Sequence, residues 1–366
     1  MKRFEILDAL RAVLALDVAV GHIGMFPLFG SVHQPDATLT LLARGWATLA
    51  FGPPAVIAFF IISGFCVHYP FAANGSNCAI GRFYARRYLR ILIPVVCVVG
   101  LFEVALPKQT VIIGPNSIIW DSTLWSLVCE EIYYAVYPFI SRLARCTGWL
   151  PLVVAACLPM ALIMWSFFPA IDWNDVGILA TTFTLFPVWL AGCYLAENLP
   201  GRDKTISASQ IWTWRFAAWA SMWLALVLHF HSEFHQTVTG PFLGLVYYFW
   251  LRAELSYYRD RKPAASLVWA GRWSYSLYLV HPLAFALAAT FGHLDKALRL
   301  DWLVAFAAML AGSYVFYLAI ERPSHRLARR VPLLDVALPR SFGNVADAQT
   351  LPVGLKAGLA HPEAQS

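Results

Sequence analysis

Long apolar stretches, separated by short polar segments rich in arginine, set the pattern of this chain. Ten such stretches can be read, at roughly 9–30, 47–70, 91–107, 120–140, 150–170, 176–196, 212–230, 237–251, 274–292 and 301–320. Several fall short of the about 20 residues that a straight crossing of a bilayer needs, so tilt or partial insertion is expected. The pattern predicts an all-α, polytopic transmembrane helix bundle of about ten spans.

The polar segments carry a second pattern. The N-terminus and the alternate connections at 82–90, 142–145, 202–215, 252–272 and 322–330 hold 20 lysines and arginines. The intervening connections hold only Arg44, Lys108, Lys296 and Arg299. Basic residues stay on the cytoplasmic side of a membrane, so this division predicts that both termini are cytoplasmic.

Composition narrows the class further. Hydrophobic residues make up 59% of the chain and charged ones 13%, against about 25% charged in a soluble domain; the mean hydropathy is +0.61. The net charge of +6 is no nucleic-acid footprint, because the basic residues lie between apolar segments rather than in a patch. Seven cysteines without a CxxC pair read as buried thiols, not as disulfides or a metal site. Lys2 and Arg3 ahead of an apolar run imitate a signal peptide, but Glu5, Asp8 and Asp17 and the lack of a small-residue cleavage site favour a retained anchor. Residues 1–332 are expected to form one transmembrane domain. Residues 333–366, rich in Ala, Pro and Gly, are expected to be a poorly ordered cytoplasmic tail.

Candidate chemistry sits inside the apolar stretches. The first reads LDALRAVLALDVAVGH, with Arg11 and His22 eleven residues apart. At about 100° per residue they share one face, roughly 16 Å apart along the axis. Ionisable groups at such depth are costly and mark a functional site by default; an interfacial arginine and a packed histidine are the plain alternative. In FFIISGF, Ser63 and Gly64 are small enough for close helix contact, and packing is the expectation for both. GRFYARRYLRILIP places Arg82, Arg86, Arg87 and Arg90 in nine residues, a topology signal that can also bind an anionic ligand such as a nucleotide phosphate.

WSLVCEEIYYAVYP sets Glu130 and Glu131 side by side in an aromatic helix. Adjacent residues point about 100° apart, so at most one faces the site of His22. The other is expected to pair with an arginine or to carry a proton. GRWSYSLYLVHP gives Ser274, Tyr275, Ser276 and Tyr278, with His281 nearly on the face of Ser274. His229, His231 and His235 beside Glu233 have metal-ligand chemistry, but nothing in the sequence fixes their geometry. A solvated loop is the expectation there, and no metal site is expected. There is no phosphate-binding glycine loop, HExxH or GxSxG.

Taken in order, LDALRA with His22, FFIISGF, RRYLR, WSLVCEEIYYAVYP, SYSLYLVHP and the closing ERP resemble the acyltransferase-3 family of integral-membrane acyltransferases, from Leu7 to about Arg326. The resemblance implies ten or so spans in a bacterial cytoplasmic membrane. It also implies transfer of an acyl group, usually acetyl, from cytosolic acyl-CoA as co-substrate, with no tightly bound cofactor. The acceptor it implies is a hydroxyl of a saccharide or glycoconjugate at or beyond the outer face. Arg11 and His22 match the family's essential pair, Glu130 the first glutamate of the WSL block, and Arg87 and Arg90 its RxxR arginines. Ala9 and Asp17 depart from the pattern; Asp17 projects about 140° away from His22. With no fused domain after the last span, the stand-alone form of the family is expected.

On this reading His22 is the general base and returns the proton to the departing sulfur. Arg11 guides the acyl-CoA arm, and Arg86, Arg87 and Arg90 hold its phosphates. Glu130 orients or charge-balances His22 or Arg11, and Ser274, Tyr275 and His281 contact substrate. An acyl-histidine intermediate is a competing route. Two rival classes stay open: a carrier or flippase for a free or lipid-linked saccharide, and a non-catalytic membrane subunit.

Overall fold

In the computed structural model the described residues are 4–29, 36–50, 52–74, 79–106, 123–168, 172–199, 206–291 and 298–331. The tail expected from residue 333, and the connections that carry Lys108 and Lys296, lie outside them. Among the described residues there is helix and no strand. The helices are α1 Glu5–Ile23, α2 Ala37–Ala47, α3 Gly52–Asn74, α4 Ile80–Ala105, α5 Trp125–Thr147, α6 Trp149–Ser166 and α7 Trp173–Val176. They continue with α8 Ile178–Glu197, α9 Ala208–His231, α10 Gln236–Tyr257, α11 Ala265–Gly271, α12 Ser274–Phe291, α13 Arg299–Phe316 and α14 Arg322–Arg329. A π-helical turn, Tyr317–Glu321, joins α13 to α14.

Among the described residues each of the ten apolar stretches overlaps a long helix, but helix and apolar run have different bounds: α1 ends at Ile23, short of residue 30. The arginine-rich RRYLR is the first part of α4 rather than a connection. Arg142 and Arg145 lie in the last turns of α5, and Arg252 and Glu254 lie within α10. Arginine and glutamate are good helix formers, so the backbone ladder continues past the apolar run. The short helices α2, α7, α11 and α14 were not anticipated.

Six helical segments are long and apolar enough to cross a membrane, and Ser274–Ala288 is a shorter apolar helix. Helices α1, α5 and α10 reach 19, 23 and 22 residues but are less apolar: α1 and α5 each carry four charged residues, and α10 carries Arg252 and Glu254 beside Gln, Thr and Tyr. Of these, α1 and α5 line a cavity, together with the arginine-bearing α4.

Helices α3 and α8 meet in a close seam. A Cβ on Gly64 would fall 2.1 Å from the carbonyl oxygen of Trp189, and one on Gly192 would fall 2.1 Å from that of Ile61. Only glycine permits two helix backbones to approach in this way. Around the seam Trp189, Tyr133, Tyr137 and Phe65 are fully buried, and Trp189 packs against the rings of Tyr133 and Phe186 at 5.5 and 6.3 Å. α1 lies on this core through Leu7, Leu10, Leu14 and Val18. Its first turn carries Glu5 and Asp8 and its last carries His22, the charge order that a helix dipole favours.

Candidate active site

A cavity of about 570 Å³ opens between α1, α3, α4, α5, α12, the π-helical turn and α14. Eight arginines line it: Arg11 from α1, Arg86, Arg87 and Arg90 from α4, Arg272 ahead of α12, and Arg322, Arg326 and Arg329 from α14. Against them stand three carboxylates, Asp8, Glu130 and Glu321. A wall with this excess of guanidinium groups is suited to an anion of several charges, because each arginine offers a planar fork of donors to phosphate or carboxylate.

The arginines are held in place by weak or neutral partners, which leaves donors for a ligand. Arg11 donates to Cys66 Sγ at 3.2 Å and stands 3.5 Å from Asp8 Oδ1. Arg87 lies over the ring of Tyr134, 5.1 Å from its centroid. Arg90 Nε donates to His325 Nε2 at 3.1 Å, and Arg86 reaches the carbonyl of Val331 at 3.4 Å. Ser324 donates to the carbonyl of Leu89 at 2.5 Å and so fixes α14 against α4. Arg82, the other arginine of that segment, is not on the wall.

The structure separates the two adjacent glutamates as their angular spacing on the helix requires. Glu130 faces the cavity and accepts hydrogen bonds from the hydroxyls of Ser63 and Tyr134. Its contacts are thus with these two hydroxyls, rather than with His22 or Arg11 as expected from sequence. Glu131 is off the wall, and both of its carboxylate oxygens are buried without a hydrogen-bond partner; no arginine donates to it, and the other expectation, that it carries a proton, fits this burial.

Several wall residues escaped the sequence reading, among them Ser63, Glu321, Arg272 and the α14 arginines. Ser63 was expected to serve packing like Gly64, and it does meet α8, but its hydroxyl also opens on the cavity. Ser63 takes a hydrogen bond from Trp189 Nε1 at 3.3 Å and turns its own proton to Glu130. Glu321 entered the sequence reading only as part of the closing ERP. It is buried on the cavity wall and accepts from Ser276 N at 3.0 Å and Ser276 Oγ at 2.5 Å. Arg272 was counted among topology signals. A lone carboxylate at the end of an apolar run, just before a basic cluster, was the available clue to Glu321.

The residues expected to contact substrate divide. Ser274 and Tyr275 line the cavity, where Ser274 donates to the carbonyl of Gly271 at 3.0 Å and Tyr275 to that of Ile91 at 3.3 Å. His281 does not line it. It pairs with His22, ring centroids 4.9 Å apart, and His22 is likewise outside the cavity lining. Arg11 and His22 share a helix face, but the cavity that holds Arg11 ends before it reaches His22.

Tyr278 stands between the two. It lines the cavity, bonds Ser126 Oγ through its hydroxyl at 2.6 Å, and lies 6.1 Å from the His281 ring. Phe59, also on the wall, packs on Tyr278 at 6.0 Å.

The hydrogen bonds of the histidine pair assign its tautomers. His281 Nδ1 donates to the carbonyl of Leu277 at 3.2 Å, so its Nε2 carries the lone pair. That Nε2 is 3.3 Å from His22 Nδ1, which also donates to the carbonyl of Val18 at 2.9 Å. His22 therefore bears its proton on Nδ1 and its lone pair on Nε2, the arrangement of an oriented base. His22 is exposed whereas His281 is buried.

With helix and no strand among the described residues, apolar helices long enough to span a bilayer and an arginine-lined cavity beside an oriented histidine, the structure has the form of an integral-membrane protein with a cavity suited to an anion. Residues 4–318 match the acyltransferase domain family, and the chain belongs to that family, the acyltransferase-3 family its motifs resembled. It is similar to the acyltransferase MdmB of Streptomyces mycarofaciens, 26% identical over 384 residues that cover 92% of this chain and 96% of the relative. No solved structure matches it. The protein is thus a membrane acyltransferase.

Proposed function

We propose that this acyltransferase moves an acyl group, acetyl in the first instance, from cytosolic acyl-CoA to a hydroxyl of a saccharide or glycoconjugate at or beyond the outer face of a bacterial cytoplasmic membrane. The observation that carries the reading is the cavity whose eight arginines face three carboxylates and whose far end, at Tyr278, adjoins the histidine pair. The nucleotide phosphates of the donor sit among Arg86, Arg87, Arg90 and the α14 arginines. Its thioester arm runs past Arg11 towards Tyr278.

In the reaction, Nε2 of His22 takes the proton of the acceptor hydroxyl as its oxygen attacks the thioester carbonyl. The tetrahedral intermediate then collapses, the C–S bond breaks, and the imidazolium returns the proton to the departing thiolate. His281 accepts from His22 Nδ1 and holds the ring in the required tautomer. Glu130 balances the positive charge of the wall and keeps Ser63 and Tyr134 in place.

The reading includes about ten spans with both termini cytoplasmic, supported by the segregation of basic residues. Cysteine labelling on a background without native thiols tests it: residue 86 should be protected from an impermeant reagent in whole cells and residue 296 should react. The function itself is tested by incubating purified protein with radiolabelled acetyl-CoA and surface glycans from cells that lack the chain. Appearance of O-acetyl ester is expected. Saccharide transport without any ester would favour the carrier reading instead.

A further inference from the structure

The histidines read from sequence as a solvated loop are part of a more specific arrangement. His229 at the end of α9 and His235 just before α10 converge on Asp172, which precedes α7, whereas His231 and Glu233 stay outside the group. Their donor atoms lie within 4.8 Å of one another. Nδ1 of His229 is 3.4 Å, and Nδ1 of His235 is 3.6 Å, from the same oxygen, Asp172 Oδ1. The two rings stand nearly perpendicular, at 80°, with centroids 5.0 Å apart.

Those separations are too long for good hydrogen bonds. They are close to the separation of ligands around one ion: bonds of about 2.0–2.1 Å at tetrahedral angles put donor atoms roughly 3.3 Å apart. Asp172 Oδ1 is shielded from solvent and accepts no hydrogen bond, a costly state for a carboxylate oxygen unless a cation completes it.

The position of Asp172 is built rather than incidental. The next residue, Trp173, is buried, its carbonyl accepts from Thr181 Oγ1 at 2.7 Å, and its ring packs on Trp125 at 5.3 Å. Gly240 of α10 leaves room for that ring, since a Cβ there would fall 2.7 Å from it. The α6–α8 connection is thereby pressed against the start of α10, where His235 waits.

We propose that Asp172, His229 and His235 form a binding site for one divalent transition metal ion, zinc by its donor set, with the fourth position left to water. Two imidazoles and one carboxylate suit zinc better than magnesium or calcium, which take oxygen. The ion would cross-link the α6–α8 connection to the α9–α10 hairpin. The site is distinct from the arginine cavity, none of whose wall residues it shares.

The full-length protein in detergent, stripped with EDTA, titrated with zinc chloride and desalted, gives the test by elemental analysis. Wild type and His231→Ala should each retain about one zinc per chain. Asp172→Asn and His229→Ala should bind at least about tenfold more weakly. Zinc should raise the unfolding temperature of wild type and leave that of Asp172→Asn unchanged. If His229→Ala fails to fold, the near-isosteric Asp172→Asn carries the comparison. Equal zinc retention by wild type and Asp172→Asn, or no retention by wild type, would overturn the site and leave Asp172 as an ion-pair partner of the histidines.

Discussion

The α3–α8 seam and the arginine cavity share a helix and obey different rules. In the seam, Gly64 and Gly192 bring backbone against backbone, the surrounding aromatics are fully buried, and a His68–Glu197 pair closes one end. One residue away, Ser63 takes a hydrogen bond from Trp189 of α8 and turns its own proton to Glu130, on a wall lined by charged and polar side chains. The seam has the properties of a structure that only has to hold. The cavity has those of a surface waiting for an anion. Substitutions in the first should reduce the amount of folded protein at normal turnover per molecule; substitutions in the second should do the reverse.

The largest effect should come from His22→Gln. Glutamine keeps a hydrogen bond but cannot act as a base, so turnover should fall by about 10² to 10⁴ at normal yield. Substantial ester formation by the purified variant would move the base to His281. Gly64→Ala should act in the opposite sense: its Cβ meets the Trp189 carbonyl, and overpacking costs about 1–3 kcal/mol. Thermal unfolding in detergent should show the loss, with turnover per folded molecule unchanged; reduced turnover at full stability would merge the two regions.

Arg87→Ala with Arg90→Ala should raise the KM for acyl-CoA by about tenfold or more, since hydrogen bonds to charged groups contribute about 1.5–3 kcal/mol. Lysine should restore only part, because it lacks the planar fork. An unchanged KM in the folded double variant would leave these arginines as topology signals. Glu130→Gln should lower activity more than Glu131→Gln, because only Glu130 faces the cavity; the reverse order at equal expression would place the site on the other face of α5. Ser63→Ala should be mildest, a loss of about 0.5–1.5 kcal/mol, read as a few-fold drop in turnover. No drop would leave Ser63 with packing alone.

The sequence by itself determined the helical class, the membrane-spanning character and the family, because each rests on local properties. Apolar runs report burial or lipid, the sorting of basic residues reports a membrane side, and ordered short motifs report kinship. It also determined that Glu130 and Glu131 could not share a wall, since angular spacing on one helix is fixed by its geometry.

What it could not determine is which helix meets which. Arg11 and His22 share a face of α1, yet only packing decided that Arg11 opens on the cavity and that His22 meets His281, 259 residues further on. Glu321 and Ser276 are 45 residues apart, and Ser63 and Glu130 67. Asp172 entered no motif and became significant only where α7, α9 and α10 converge. Periodicity fixes the directions of side chains about one axis; the partner on the other side of the contact is set by how the axes pack, and that information is non-local.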